Sequence, residues 1–226
     1  MDELPFEYVV EKVKPVREAS RRDDYRGAWW QYARPWPRPR TALTGLRRQL
    51  VTPAVAKHRL FVWQPIEVLC NQGDACFARE DDYFFGVLHS RAHEVWSLRI
   101  GARHGVGNDP TYNNTTCFET FPLPWPPGAE PVDDPLVVAI GEAAAKLDAL
   151  RRRWLDPEGA DEAELKKRTL TNLYNARPQW LRNAHAALDR AVWHAYGWDD
   201  PDLASVEEDT ILARLLALNL ERAGRT

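Results

Sequence analysis

Hydrophobic positions along this chain fall into two regimes. Towards the C-terminus they recur at helical spacing, whereas in the first half they form short runs broken by proline and glycine. Val138, Ile140, Leu147, Leu150 and Trp154 lie on or near one face of a helix predicted over 135–154, ended by Asp156-Pro157-Glu158-Gly159. A second helical pattern opens at Asp161 and carries Leu165, with Leu170 and Leu173 after it. A third runs from Trp180 to Tyr196 and is stopped by Gly197. Ser205-x-x-Glu208 has the form of a capping box opening a fourth, Val206 to Ala223, whose leucines make a wide apolar stripe. This pattern predicts a small helical bundle.

The first half reads differently. Phe6, Val9, Val10, Val13 and Val16 predict a helix over 5–26, kinked or split by Pro15 and strongly charged from Arg17 onward. Trp29-Trp30-Gln31-Tyr32 leads into Arg34-Pro35-Trp36-Pro37-Arg38-Pro39-Arg40, a run expected to stay extended, with Thr41 capping one helical turn. Residues 51–64 read as a strand bracketed by Pro53 and Pro65. Alternation then puts Lys57, Arg59, Phe61 and Trp63 on one side and His58, Leu60 and Val62 on the other. Val68-Leu69 and Cys76-Phe77-Ala78 suggest two more short strands, and Asp81-Asp82 a turn. Tyr83 to Leu88 is apolar enough for burial on both faces, and Ser90 reads as the cap of a helix over 91–100. The expected class is α+β: a small mixed sheet with helices, followed by an all-α bundle.

At 226 residues the chain suits one domain of ordinary size and a smaller one. Its net charge of −3 hides a segregation. From Tyr25 to Ile66 there are eight basic residues and no Asp or Glu. Such a block points to a localised anionic partner, nucleic acid above all, or to a basic loop that pairs with acids such as Asp81 and Asp82. Ten tryptophans serve cores and flat contact surfaces equally well. No apolar run is long enough to span a membrane, and Met1-Asp2-Glu3-Leu4-Pro5 lacks the form of a signal peptide. Cys70, Cys76 and Cys117 have no CxxC spacing and read as free thiols in a cytoplasmic protein.

Candidate chemistry is sparse. His89 and His93 are four apart beside Glu94, a spacing that could share a metal but also suits capping or buried hydrogen bonding, and no third ligand is evident. The glycines at 101, 105 and 107 are interrupted by Arg103 and His104 and do not form a cofactor loop. No nucleophile motif is present. The expectation is therefore of no catalytic, cofactor or metal residue within the chain.

The stretch joining the two halves carries more information. Asn108-Asp109-Pro110 is a turn signal, Phe118 and Phe121 are candidate anchors, and the proline run from Pro122 to Pro127 stays extended. Thr115-Thr116-Cys117-Phe118-Glu119-Thr120-Phe121-Pro122-Leu123-Pro124 resembles the segment closing the target recognition domain of MmeI-like adenine-specific DNA methyltransferases. These are single-chain restriction-modification enzymes of the IIG/IIL type and related phage-defence methylases. Three further blocks resemble the family in the same order: Trp29 to Pro35, Val55 to Trp63, and Asp81 to Ser90. Leu173 to Leu181 and Ala195-Tyr196-Gly197-Trp198 are similar to its C-terminal region.

The resemblance implies a linking helix over 1–28, a DNA target recognition domain over 29–130 and a C-terminal helical domain over 131–226. It implies double-stranded DNA as partner and a separate methyltransferase domain, upstream or separately encoded, that holds S-adenosylmethionine. The chain lacks that family's glycine-rich cofactor turn and its (Asn/Asp/Ser)-Pro-Pro-aromatic motif for the flipped adenine. Methyl transfer by this chain alone is not expected. Arg34, Arg38 and Arg40 are the candidate phosphate contacts, in a run that could equally be a rigid spacer. Lys57, His58 and Arg59 are the candidate base readers, because Lys and Arg suit the guanine edge in the major groove. The alternative is a protein-interaction module binding a partner subunit through the Trp/Pro stretch and the bundle.

Overall fold

The computed structural model describes residues 4–21, 26–27, 29–31, 37–71, 73–106 and 109–224. The chain divides into two compact units, Met1–Thr44 and Gly45–Thr226.

In the first unit, helix α1 (Leu4–Lys12) is followed by α2 (Lys14–Glu18), with Pro15 in the first turn of α2. The predicted helix is thus split in two, because a proline is tolerated where its missing N–H has no partner to lose. Phe6 packs on Trp29 at 6.2 Å between ring centroids, and the Lys14 ammonium lies 5.5 Å from the same indole. Helix α3 spans Pro37–Ala42. This corrects the expectation of extended backbone there and of Thr41 as a cap. Pro37 and Pro39 both fall in the first helical turn, where their fixed φ suits a helix. Arg34 lies outside the described residues, as does the side chain of Arg38.

The second unit opens with strand β1 (Arg48–Pro53), flanked by β2 (Val62–Pro65) and β3 (Asp74–Phe77) in the order β2-β1-β3, both pairings antiparallel. Helix α4 (Asp82–His89) and helix α5 (Arg91–Ile100) follow, then a hairpin of β4 (Arg103–His104) and β5 (Asp109–Pro110) and a π-turn over Asn114–Phe118. The rest is α6 (Pro135–Leu155), α7 (Glu162–Leu165), α8 (Leu170–Ala176), α9 (Gln179–Ala195), a 3-10 turn (Leu203–Ser205) and α10 (Glu208–Ala223). The class is α+β.

Helix α4 is the hub. Seven of its eight residues are buried, and one apolar cluster runs from Leu50, Phe61 and Phe77 through α4 to Ile140, Leu188 and Leu215. Asp81 starts α4 by accepting from the Phe84 N–H at 2.8 Å, so Asp81-Asp82 is a helix cap and not a free turn. Ser90 turns its hydroxyl to the Val87 carbonyl instead of capping α5, and the Asp189 carboxylate of α9 accepts from the Arg91 N–H at 2.7 Å. The capping box at Ser205 does not form. Ser205 closes a 3-10 turn by donating to the Asp202 carbonyl, and α10 starts without a side-chain cap.

The joining stretch is anchored as its aromatics suggest. Phe118 meets Phe77 at 4.8 Å, and buried Phe121 meets His93 at 4.8 Å. Its orphan carbonyls are met by the C-terminal helices: Tyr196 donates to Pro122, and Arg222 donates to Leu123 at 2.6 Å and to Pro124 at 2.8 Å. Cys117 is a buried free thiol. Cys70 and Cys76 are joined by a disulfide, which corrects the expectation of free thiols. The turn before β3 folds back and brings their Cα atoms to 6.8 Å, within disulfide reach.

Candidate nucleic-acid interface

The predicted long strand over 51–64 is broken. Residues 54–61 form a loop between β1 and β2, so Lys57, His58 and Arg59 lie on a loop, not a strand. The loop is nevertheless fixed. Ala54 N–H donates to Gly73 O at 2.7 Å, Tyr112 N–H donates to Ala54 O at 2.7 Å, and Val55 bridges Thr111. Arg59 turns inward in the loop that follows β1. It is 5 % exposed and its guanidinium folds back over the chain. It donates to Thr52 Oγ1 at 2.9 Å and Pro53 O at 2.5 Å, and to Pro110 O at 3.1 Å. These bonds satisfy carbonyls that the interrupted ladder leaves open. Burial lowers its pKa.

Lys57 and His58 face the other way. The exposed Lys57 ammonium donates to Asn175 Oδ1 at 2.8 Å, and His58 Nε2 meets the same oxygen at 2.9 Å. Two basic side chains of the loop are thus tied to the end of α8. The rest of the basic window is divided. Arg48 stacks over Trp63 at 3.9 Å and donates to Glu80 O and to Asp82 Oδ1 at 3.0 Å. Exposed Arg47 lies 3.7 Å from Glu80. A window without acids in sequence therefore meets acids across the fold. Arg40 is exposed on α3.

Beside Lys57 and His58 lies a polar pocket of about 60 Å³, lined by His58, Arg59, Leu60, His89, Glu94, Tyr174, Arg177 and His185. Its inner wall is a hydrogen-bonded chain. Phe61 N–H donates to His89 Nδ1 at 3.3 Å, and His89 Nε2 lies 3.0 Å from Tyr174 Oη and 3.1 Å from Arg151 Nη1. The Tyr174 hydroxyl also lies 2.9 Å from His185 Nε2. Behind His89, Arg151 is 2 % exposed, pairs with Asp148 at 3.1 Å and donates to Phe61 O at 3.0 Å. Among the described residues its Nε has no partner. Burial holds His89 well below the usual imidazole range and His185 at about 3, so both rings are neutral.

His93 is separate from this pocket. Its Nδ1–H donates to Leu88 O at 2.8 Å and its Nε2 accepts from Tyr112 Oη at 3.1 Å. His89 and His93 are both buried and bond to different partners in the core. Among the described residues, no group of three or more His, Cys, Asp or Glu is arranged to hold a metal ion. Nor is any helix among them long and apolar enough to cross a membrane. Sequence reasoning missed Tyr174, Arg177 and His185, which lie more than a hundred residues from the loop they adjoin. The one available signal was the resemblance of the segment containing Tyr174 and Arg177.

No protein-family model and no curated protein matches the chain. Among solved structures, it matches the type IIL restriction-modification enzyme MmeI, determined in complex with DNA, at a TM-score of 0.68 and 19% identity. The match takes in 97% of this chain and 26% of that one. The two share a fold. The present chain spans about a quarter of the length of the enzyme it matches.

Proposed function

We propose that this chain is the DNA target recognition part of a site-specific N6-adenine DNA methyltransferase of restriction-modification or phage-defence type. In this reading residues 29–130 recognise DNA, 131–226 are the C-terminal helical domain, and 1–28 lead in from a methyltransferase domain. That domain, upstream or separately encoded, would bind S-adenosylmethionine and receive the flipped adenine. The observation that carries the reading is the shared fold along 97% of the chain with part of an enzyme solved on DNA. The exposed Lys57, held with His58 on a braced loop, supports it. Arg34, Arg38 and Arg40 are proposed phosphate contacts, and Lys57 and His58 the base-facing pair. Arg59 serves the loop, because its donors are spent on carbonyls of the chain.

The test is fluorescence anisotropy of labelled duplex DNA titrated with the full chain at several salt concentrations. Affinity should fall steeply with salt, with a log–log slope of about −0.9 per phosphate neutralised. Binding absent at low salt would overturn the reading in favour of an interaction module for a partner subunit.

A further inference from the structure

Arg177 is the one non-glycine among the described residues with a positive φ, 40°. It closes α8 in the left-handed conformation, where glycine is the residue of least cost. Strain of this kind persists where the surroundings hold it, and it clusters at ligand-binding positions. The Arg177 side chain lines the polar pocket and makes no hydrogen bond or ion pair with a described residue. Two residues before it, Asn175 gathers Lys57 and His58. The pocket's volume of about 60 Å³ is enough for one tetrahedral oxyanion. The buried Arg151, ion-paired with Asp148, lies behind His89 with its Nη1 3.1 Å from His89 Nε2. Glu94 is the one carboxyl in the lining; burial pushes its pKa up, against the Arg177 charge, which lowers it.

We propose that Arg177 forms an oxyanion site for a phosphate group at this pocket, filled on DNA by a backbone phosphodiester next to the base-facing Lys57 and His58. A planar guanidinium suits two oxygens of one phosphate, and the neutral imidazoles of the wall complete a polar cup without adding charge. This deepens the DNA-recognition reading and rests on it for the source of the phosphate.

The decisive variant is Arg177→Gly, because it removes the guanidinium while relieving the backbone. Its melting temperature should equal or exceed that of the parent chain. With duplex DNA its affinity should fall about tenfold at low salt, and the salt slope should shrink by about one. Line broadening of inorganic phosphate in ³¹P NMR, present with the parent chain, should be lost with the variant. Arg177→Lys should keep most of the slope and lose affinity. Equal DNA affinity and slope in parent and Arg177→Gly would overturn the site while leaving the DNA reading intact. Phosphate broadening that depends on Arg177, without any DNA binding, would sustain the site with free phosphate as its source and sink the DNA reading. Binding of neither probe would overturn both. Should Arg177→Gly melt lower, Arg177→Gln becomes the test, and an unchanged slope there would overturn the site.

Discussion

The same residue types that suggest chemistry in a sequence also hold cores together, and burial separates the two uses. Arg59 shows this. Its three acceptors are Thr52 Oγ1 and the carbonyls of Pro53 and Pro110. Arg59→Ala should cost about 2–3 kcal/mol in urea unfolding, since it leaves buried acceptors unmet. A loss of DNA affinity with unchanged stability would instead make it a contact. The buried titratable groups set the pH response. Burial holds His93 and His185 at about 3 against 6.5 in the unfolded chain. Their contribution is therefore present above pH 6.5 and lost as pH falls towards 3. Asp189 has the opposite sign: burial raises it to about 7 from 3.8, so its contribution is present below 3.8 and lost as pH rises through 7. Asp189→Asn keeps an acceptor for the Arg91 N–H. Its melting temperature should exceed the parent's at pH 8 and approach it at pH 5. A constant gap across that range would show that Asp189 does not titrate there.

At the scale of elements, apolar content says that a segment is buried but not how. Tyr83 to Leu88 carries no periodicity, because every side of α4 meets protein. The sheet lies on one side, and α6 and α9 lie on the other. At Gly86 side chains of both helices press against α4. A Cβ there would stand 2.7 Å from Ile140 Cγ2 and 3.0 Å from Ala144 Cβ. Gly86→Ala should therefore destabilise the fold by about 1–3 kcal/mol despite alanine's better helix propensity. A thermal melt at or above the parent's would show that α4 and α6 can separate without cost. The capping signals divide in the same way. Asp134 and Thr169 cap helices, each through a local bond. Ser90 and Ser205 do not, because tertiary packing offers their hydroxyls carbonyls instead.

For the whole molecule, the proposed reading makes activity a property of an assembly. Purified chain incubated with duplex DNA and tritiated S-adenosylmethionine should transfer no methyl groups, and transfer should appear when the methyltransferase domain is supplied. Transfer by the chain alone would overturn the division of labour. Changing Arg34, Arg38 and Arg40 together to alanine should weaken binding to every DNA sequence about equally and lower the salt slope by roughly three. Unchanged affinity at low salt would make that stretch a structural spacer.

Local physics was legible in the residues themselves. The helical bundle, the breaks at Pro15 and Gly197, and the aromatic anchors Phe118 and Phe121 follow from spacing, proline chemistry and hydrophobic burial, which act within a few residues. The family resemblance led to the fold without any contact being known. What the tertiary structure decided was the use of each polar group. The inward turn of Arg59, the pairing of Arg48 with Asp82, the Cys70–Cys76 bond and the cup formed by Tyr174, Arg177 and His185 depend on which distant segments meet. A side chain's partner is fixed by those meetings, and spacing along the chain carries no record of them.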